Sequence, residues 1–160
     1  MYNTIEGRLM RLSFRLKHHF FSAFRELFVH HHGSLEFRAK IFALFIATNK
    51  NATVENYIVH VKNIGLELYK NDTDRADLLM LSTKELVKKI EEHNGLNIDS
   101  LALNIQKELK IVPRYAHKID IDALRGLLQF TYDDDTLAYQ ENILEFLQKI
   151  KDETLNQNKG

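Results

Sequence analysis

The chain has 160 residues, 44% of them hydrophobic and 28% charged, with 22 basic residues balanced by 22 acidic ones. That length and composition suit one core-forming globular domain and exclude wholesale disorder. The balanced charge removes any global electrostatic drive toward nucleic acid, and the lack of cysteine excludes disulfides, thiolate catalysis and Cys-ligated zinc.

One proline and six glycines in the whole chain favour long helices over a turn-rich β architecture. From about residue 3 to 29, Leu9, Leu12, Leu16, Phe20, Phe24 and Leu27 recur every three or four positions, which predicts one amphipathic helix. Arg8, Arg11 and Arg15 line an adjoining face. Over residues 1–33 five Lys or Arg stand against Glu6 and Glu26, so the segment is locally basic. The same arginines, with Lys17, interrupt any signal-peptide core or membrane span, which points to a cytoplasmic protein, at most peripheral to the inner membrane.

His30-His31-His32-Gly33 ends that helix, and Ser34 is the expected N-cap of the next. Phe37, Ile41, Phe42, Leu44, Phe45 and Ile46 surround most of the second helix, the pattern of a central buried element. After Asn49-Lys50-Asn51, Thr53 is placed to cap a third helix with the stripe Tyr57, Val61, Ile64, Leu68, expected to pack antiparallel on the second. Asn71-Asp72-Thr73-Asp74 caps a fourth, carrying Leu78, Leu79, Leu81, Leu86, Val87 and Ile90 and stopped at Asn94-Gly95. A further segment from Asp99 bears Leu101, Leu103, Ile105 and Leu109, and Pro113 marks its end. Asp120 caps a helix through Leu124, Leu127, Leu128 and Phe130. Thr136 starts the last one, through Leu137, Ile143, Leu144, Phe146, Leu147 and Ile150, with a polar tail over 152–160 expected to fray. The sum is an all-α fold, a compact bundle or array of about six or seven helices.

Two stretches echo each other about 85 residues apart, each an apolar helix, a short polar turn and an amphipathic helix. They run from Ile41 to Asn56 and from Leu127 to Glu141. This weak two-fold repeat resembles the TerB-like domains of tellurite resistance, which also occur beside membrane-anchored DnaJ-type co-chaperones. Members carry, twice, an Asp-Gly turn followed seven residues after the Asp by a Glu. Asp134 and Glu141 match the second copy, with Asp135 in the glycine position; in the first copy Asn49 and Asn56 occupy the acidic places. The resemblance covers about residues 20–150, so that 34–151 reads as a TerB-like helical domain behind a basic helix over 1–33. It implies an acidic surface able to hold a divalent cation such as calcium, and a role in bacterial stress-response or envelope-associated complexes.

Asp133, Asp134 and Glu141 are therefore the candidate metal ligands, although calcium wants six to eight oxygens and two carboxylates in the TerB positions supply few. The Asp133-Asp134-Asp135 run reads first as a cap on the positive end of the last helix, a role compatible with cation binding. It is not an EF-hand loop, lacking the spaced ligands and central glycine. His18, His19, His30, His31 and His32 lie close in sequence, but adjacent helical histidines point about 100° apart and chelate poorly together. No nucleophile elbow, phosphate-binding glycine loop or DnaJ signature tripeptide is present, and an isolated His117/Asp120 pair is weak, so the sequence points away from an enzyme.

In the basic first helix, Arg8, Arg11 and Arg15 with Leu12 and Leu16 are the candidate partner-binding residues. The pattern serves packing on its own domain, docking on a partner protein or a second copy, or lying on a membrane surface. The chain thus reads as a non-enzymatic interaction module with an unidentified protein partner. Alternatives are a divalent-cation-binding stress protein and a membrane-surface or nucleic-acid regulator, the balanced charge counting against nucleic acid.

Overall fold

A computed structural model describes residues 33–50 and 54–157. The chain divides into two compact units, 1–33 and 34–160, and the second is the one described here. The basic helix expected over 3–29, with Arg8, Arg11, Leu12, Arg15 and Leu16, lies outside the described residues, as do Thr53 and the last three residues.

Six α-helices and two 3-10 turns account for the described residues, with no strand among them: α1 Gly33–Ile46, α2 Glu55–Leu68, α3 Thr73–Glu91, α4 Ile98–Ile111, a 3-10 turn Pro113–Lys118, α5 Ile121–Leu127, a short 3-10 turn Leu128–Phe130, and α6 Asp134–Gln157. None of them is long and apolar enough to cross a membrane.

The near-continuous apolar run of α1 has the expected consequence. Leu35, Phe37, Ala39 and every residue from Ile41 to Asn49 are buried. Its one long-range ion pair, Lys40 to Glu108 at 2.8 Å, ties it to α4. Phe37 packs on Tyr115 of the 3-10 turn with ring centroids 5.3 Å apart.

Packing of α2 differs from expectation. Its closest backbone approach is to α3, not to α1. Gly65 explains why: a Cβ there would sit 3.0 Å from Ala76 Cα and 3.2 Å from its Cβ, so the missing side chain lets the two helices come together. Two ion pairs fasten the same seam, Lys62 to Asp77 at 2.8 Å and Lys84 to Glu55 at 3.3 Å.

The helix ends follow capping chemistry. Asp72 Oδ1 accepts from Arg75 N at the start of α3, and Asp120 Oδ1 accepts from Ala123 N at the start of α5. The helix expected from Asp99 begins at Ile98 behind Asn97, whose side chain accepts from Ser100 N while Ser100 Oγ accepts from Asn97 N. That reciprocal capping box uses Ser where Glu or Gln is usual. Past α3, His93 at φ 52° and Gly95 at φ 81° turn the chain through left-handed conformations, so the stop lies at the Asn94-Gly95 step as its composition implies. Val112, at φ −130° and ψ 77°, lies outside the α region and Pro113 opens the 3-10 turn, as the steric bias against helix before proline requires.

Three local expectations need correction. Ser34 lies within α1, which begins at Gly33, instead of capping it. The last helix starts at Asp134, with Asp133 as the capping residue and Thr136 inside the first turn. The tail from Asp152 continues α6 to Gln157: Thr154 Oγ1 bonds to Ile150 O at 2.6 Å, and Gln148 Nε2 to Asp152 Oδ1 at 2.9 Å. Lys151 Nζ reaches back to Ile119 O at 2.7 Å, holding this end of α6 against the loop before α5.

Candidate functional site

The two turns of the sequence echo meet in the interior. Asn49, in the turn after α1, donates through Nδ2 to Tyr57 Oη at 2.6 Å. Tyr57 Oη lies 2.7 Å from Thr131 Oγ1, in the turn before α6, and Thr131 Oγ1 donates to Gln140 Oε1 at 2.6 Å. The direction of every bond follows. Gln140 Oε1 has no proton, so Thr131 must donate to it; Thr131 has a single proton, so Tyr57 must donate to Thr131; and Tyr57 then accepts from Asn49. Tyr57 and Gln140 are fully buried and Asn49 nearly so, which places this four-residue chain in a low-dielectric interior where satisfied polar networks specify one arrangement. Phe130 and His60 stand against it, the Phe130 ring edge-on to Tyr57 at 5.8 Å and to His60 at 5.4 Å. Gln140 Nε2 has no hydrogen-bond partner among the described residues.

This chain gives a role to one residue from each stretch of the echo. Asn49, in the place of the first acid, is a buried donor in a neutral network, a role no carboxylate can fill. Gln140, just before the second-copy Glu141, closes the other end.

The structure does not gather Asp133, Asp134 and Glu141 into a ligand set, and among the described residues no group of three His, Asp or Glu side chains is placed to hold a metal ion. Asp133 Oδ2 accepts from Thr136 N at 2.9 Å and from Thr136 Oγ1 at 2.8 Å. The Thr136 hydroxyl first, and its backbone N–H second, hold the Asp133 carboxyl below the usual carboxylate range. Glu141 stands 3.6 Å from Arg125 of α5. Asp134 and Asp135 are exposed. Capping, one of the two readings of the acidic run, is thus what the Asp133 side chain does.

Beside those acids lies a feature that periodicity alone misses. Tyr132, in the turn before α6, is 81% exposed, and Tyr139 and Leu137, in its first turns, are 44% and 37% exposed. Asp135 and Tyr139, four apart, share one flank of the helix; Asp134, Leu137 and Glu141 share another, roughly 150° round at 100° per residue. Between Arg125 and Lys149 there is no Lys or Arg, against five acids. The outer surface of these first turns therefore combines solvent-exposed aromatic and aliphatic groups with negative charge. The gap in basic residues is legible in sequence; the outward direction of the tyrosines is not.

Two open grooves complete the surface. One, between α5 and α6, is lined by Ile121, Arg125, Glu145 and Gln148. The other, between α4 and α6, is lined by Leu103, Lys107, Lys110 and Ile150. No family model, curated protein or solved structure matches this chain.

Proposed function

We propose that the chain is a non-enzymatic, TerB-like helical protein–protein interaction module working in stress-response assemblies, and that it engages a basic, partly apolar segment of a partner protein. The observation that carries this reading is the outer surface of the first turns of α6 and of the turn before it, where Tyr132, Leu137 and Tyr139 are exposed near Asp134, Asp135 and Glu141. Aromatic groups supply contact area at little entropic cost, and tyrosine is enriched at interfaces. The exposed carboxylates of Asp134 and Asp135 select positive partners and speed encounter. A basic amphipathic helix offers both complements.

Cytoplasmic placement, peripheral to the inner membrane, belongs to the same proposal. The divalent-cation alternative through Asp133, Asp134 and Glu141 requires Asp133 to leave Thr136 and Glu141 to leave Arg125. The membrane-surface and nucleic-acid alternatives rest on Arg8, Arg11 and Arg15 in the first unit.

The test is titration of the isotopically labelled full chain with a synthetic Lys/Leu amphipathic helix. Perturbation of residues 132–141, weakening with salt, and at least a roughly tenfold loss of affinity in Asp135→Lys and Tyr139→Ser are expected, about 1.4 kcal/mol each. Binding that spares 132–141, or survives both substitutions, overturns the reading. A calcium titration on the same sample that shifts Asp133 and Glu141 while the peptide has no effect supports the cation alternative instead.

A further inference from the structure

Charge is segregated along the second unit although the whole chain is neutral. Residues 126–148 hold five acids and no Lys or Arg. Residues 100–119 hold Lys107, Lys110, Arg114 and Lys118 against one acid, Glu108, which is itself taken up by Lys40 at 2.8 Å. The basic stretch covers α4 and the turn after it. At about 100° per residue, Leu103, Lys107, Lys110 and Ile111 fall on one stripe of α4 about 100° wide. All four are exposed, Leu103 to 51% and Ile111 to 79%, and neither lysine pairs with an acid among the described residues. The stripe is a basic, partly apolar helix face, the chemistry that complements the acidic and aromatic start of α6.

Beside the stripe lies the cleft between α4 and α6. Leu103, Lys107, Lys110 and Pro113 line one side and Ile150 and Glu153 the other, around a volume of about 440 Å³. Leu103, Pro113 and Ile150 offer apolar contact to an aromatic ring, and the two ammonium groups offer charge to a carboxylate next to it. Asp135 and Tyr139, four apart on one flank of α6, present that pair of groups. Both are exposed, and Asp135 makes no ion pair among the described residues. Glu153 is the one acid lining the cleft, against two lysines. The flank and the cleft cannot meet within one molecule. Asp135 and Ile150 lie on the same unbroken helix, roughly 22 Å apart along its axis at about 1.5 Å per residue, and the far end of that helix is held by the bond from Lys151 to Ile119. Contact between them takes two copies.

We infer that the chain self-associates head to tail, the Asp135/Tyr139 flank of one copy seating on the Lys107/Lys110 cleft of a second. The inference rests on the α6 reading and names the partner of that surface, a second copy of this chain. Two different patches meet, so the interface is heterologous, and a dimer still carries one free cleft and one free flank. Association therefore continues past the dimer. The zero net charge of the chain leaves no overall repulsion between copies to oppose it.

The experiment follows the full chain by sedimentation velocity from about 10 μM to about 1 mM, the range suited to a small interface. The parent is expected to sediment faster as concentration rises, and less so in added salt. Two variants each lose one patch through exposed positions: Asp135→Asn with Tyr139→Ser, and Lys107→Glu with Lys110→Glu. Each alone is expected to associate at least roughly tenfold more weakly than the parent. Mixed one to one they should associate again, because the first keeps its cleft and the second its flank, and the complex should stop at a dimer. Such complementation also shows that both variants fold, and neither a symmetric patch nor association through residues 1–33 produces it. A parent that stays monomeric across the range, association that survives both double substitutions, or a mixture that stays monomeric overturns the inference. The Lys/Leu helix titration separates this inference from the reading beneath it. A helix that perturbs residues 132–141 of a parent that never self-associates leaves the α6 reading standing and overturns head-to-tail association alone. Dimerisation of the mixture with no response to the helix supports head-to-tail association and confines the α6 surface to a second copy.

Discussion

Replacing Tyr57 by Phe tests the buried chain that joins the two turns. The ring of Tyr57 is fully buried and packs against Phe130, and Phe keeps that volume, so no cavity term arises. What is lost is one oxygen that accepts from Asn49 and donates to Thr131. Thr131 keeps its bond to Gln140. The Asn49 N–H that pointed at Tyr57 loses its acceptor in a site only 2% exposed, and an unsatisfied buried donor costs about 1–3 kcal/mol. Urea denaturation of the full chain should therefore show that loss with an unchanged m-value, and heating should show a fall of roughly 2–4 °C per kcal/mol for a domain of this size. Thr131→Val removes the middle of the same chain, so the double variant should lose less than the sum of the two, with a coupling of about 0.5 kcal/mol or more. A Tyr57→Phe chain within about 0.5 kcal/mol of the parent, or strict additivity with Thr131→Val, refutes the network as a stabilising unit.

Gly65→Ala should be destabilising by about 1–3 kcal/mol in the same denaturation assay, against the gain of about 0.5–1 kcal/mol that Ala brings to an open helical site, because its Cβ meets the backbone of α3. Asn97→Ala should cost about 1 kcal/mol by dismantling the capping box at α4, while Ser100→Ala, which leaves the Asn97 cap in place, should cost less. For Asp133 the folded carboxyl titrates below its unfolded value of 3.8, so its contribution is complete above that value and is lost as pH falls toward the folded pKa. Stability measured against pH should show that acid-side loss in the parent chain and a smaller one in Asp133→Asn.

What the sequence revealed and what it hid divide by range along the chain. The all-helical class, the buried α1 and the caps at Asp72 and Asp120 rest on spacings of three or four residues, and such local signals survive tertiary packing. The pairing of α2 with α3 depends on a glycine opposite an alanine eleven positions later, which no periodicity marks as a contact. The end of α6 escaped because the polar run after Asp152 looks like a fraying tail, and its anchor, Lys151 to Ile119, spans 32 residues. The candidate sites fared the same way. Asp133 was legible both as a cap and as a ligand, and only the position of Thr136 decides which its oxygens serve.

The first-copy asparagine gives the sharpest link between the repeat and the network. In Asn49→Asp the ionised side chain has no donor and only accepts, so Tyr57 must donate to it and can no longer donate to Thr131. Thr131 must then donate to Tyr57, and Gln140 must turn its amide to donate to Thr131, which gives the orphaned Gln140 Nε2 a partner. The whole chain reverses direction while every link keeps one proton. The cost is a carboxylate at a site where Asn49 is 2% exposed, and burial raises the folded pKa of such a group above its unfolded value of about 3.9. For an acid shifted upward, the folded state holds more protons than the unfolded one between the two pKa values, so stability is retained at low pH and lost as pH rises through that window. The difference in unfolding free energy between Asn49→Asp and the parent chain should accordingly be small near pH 4 and grow toward about pH 7. At low pH the protonated carboxyl keeps an O–H that donates to Tyr57 as Asn49 does, so the chain holds its direction there and reverses only on ionisation; a difference flat across that range would mean that residue 49 reaches water and is not an end of the buried chain.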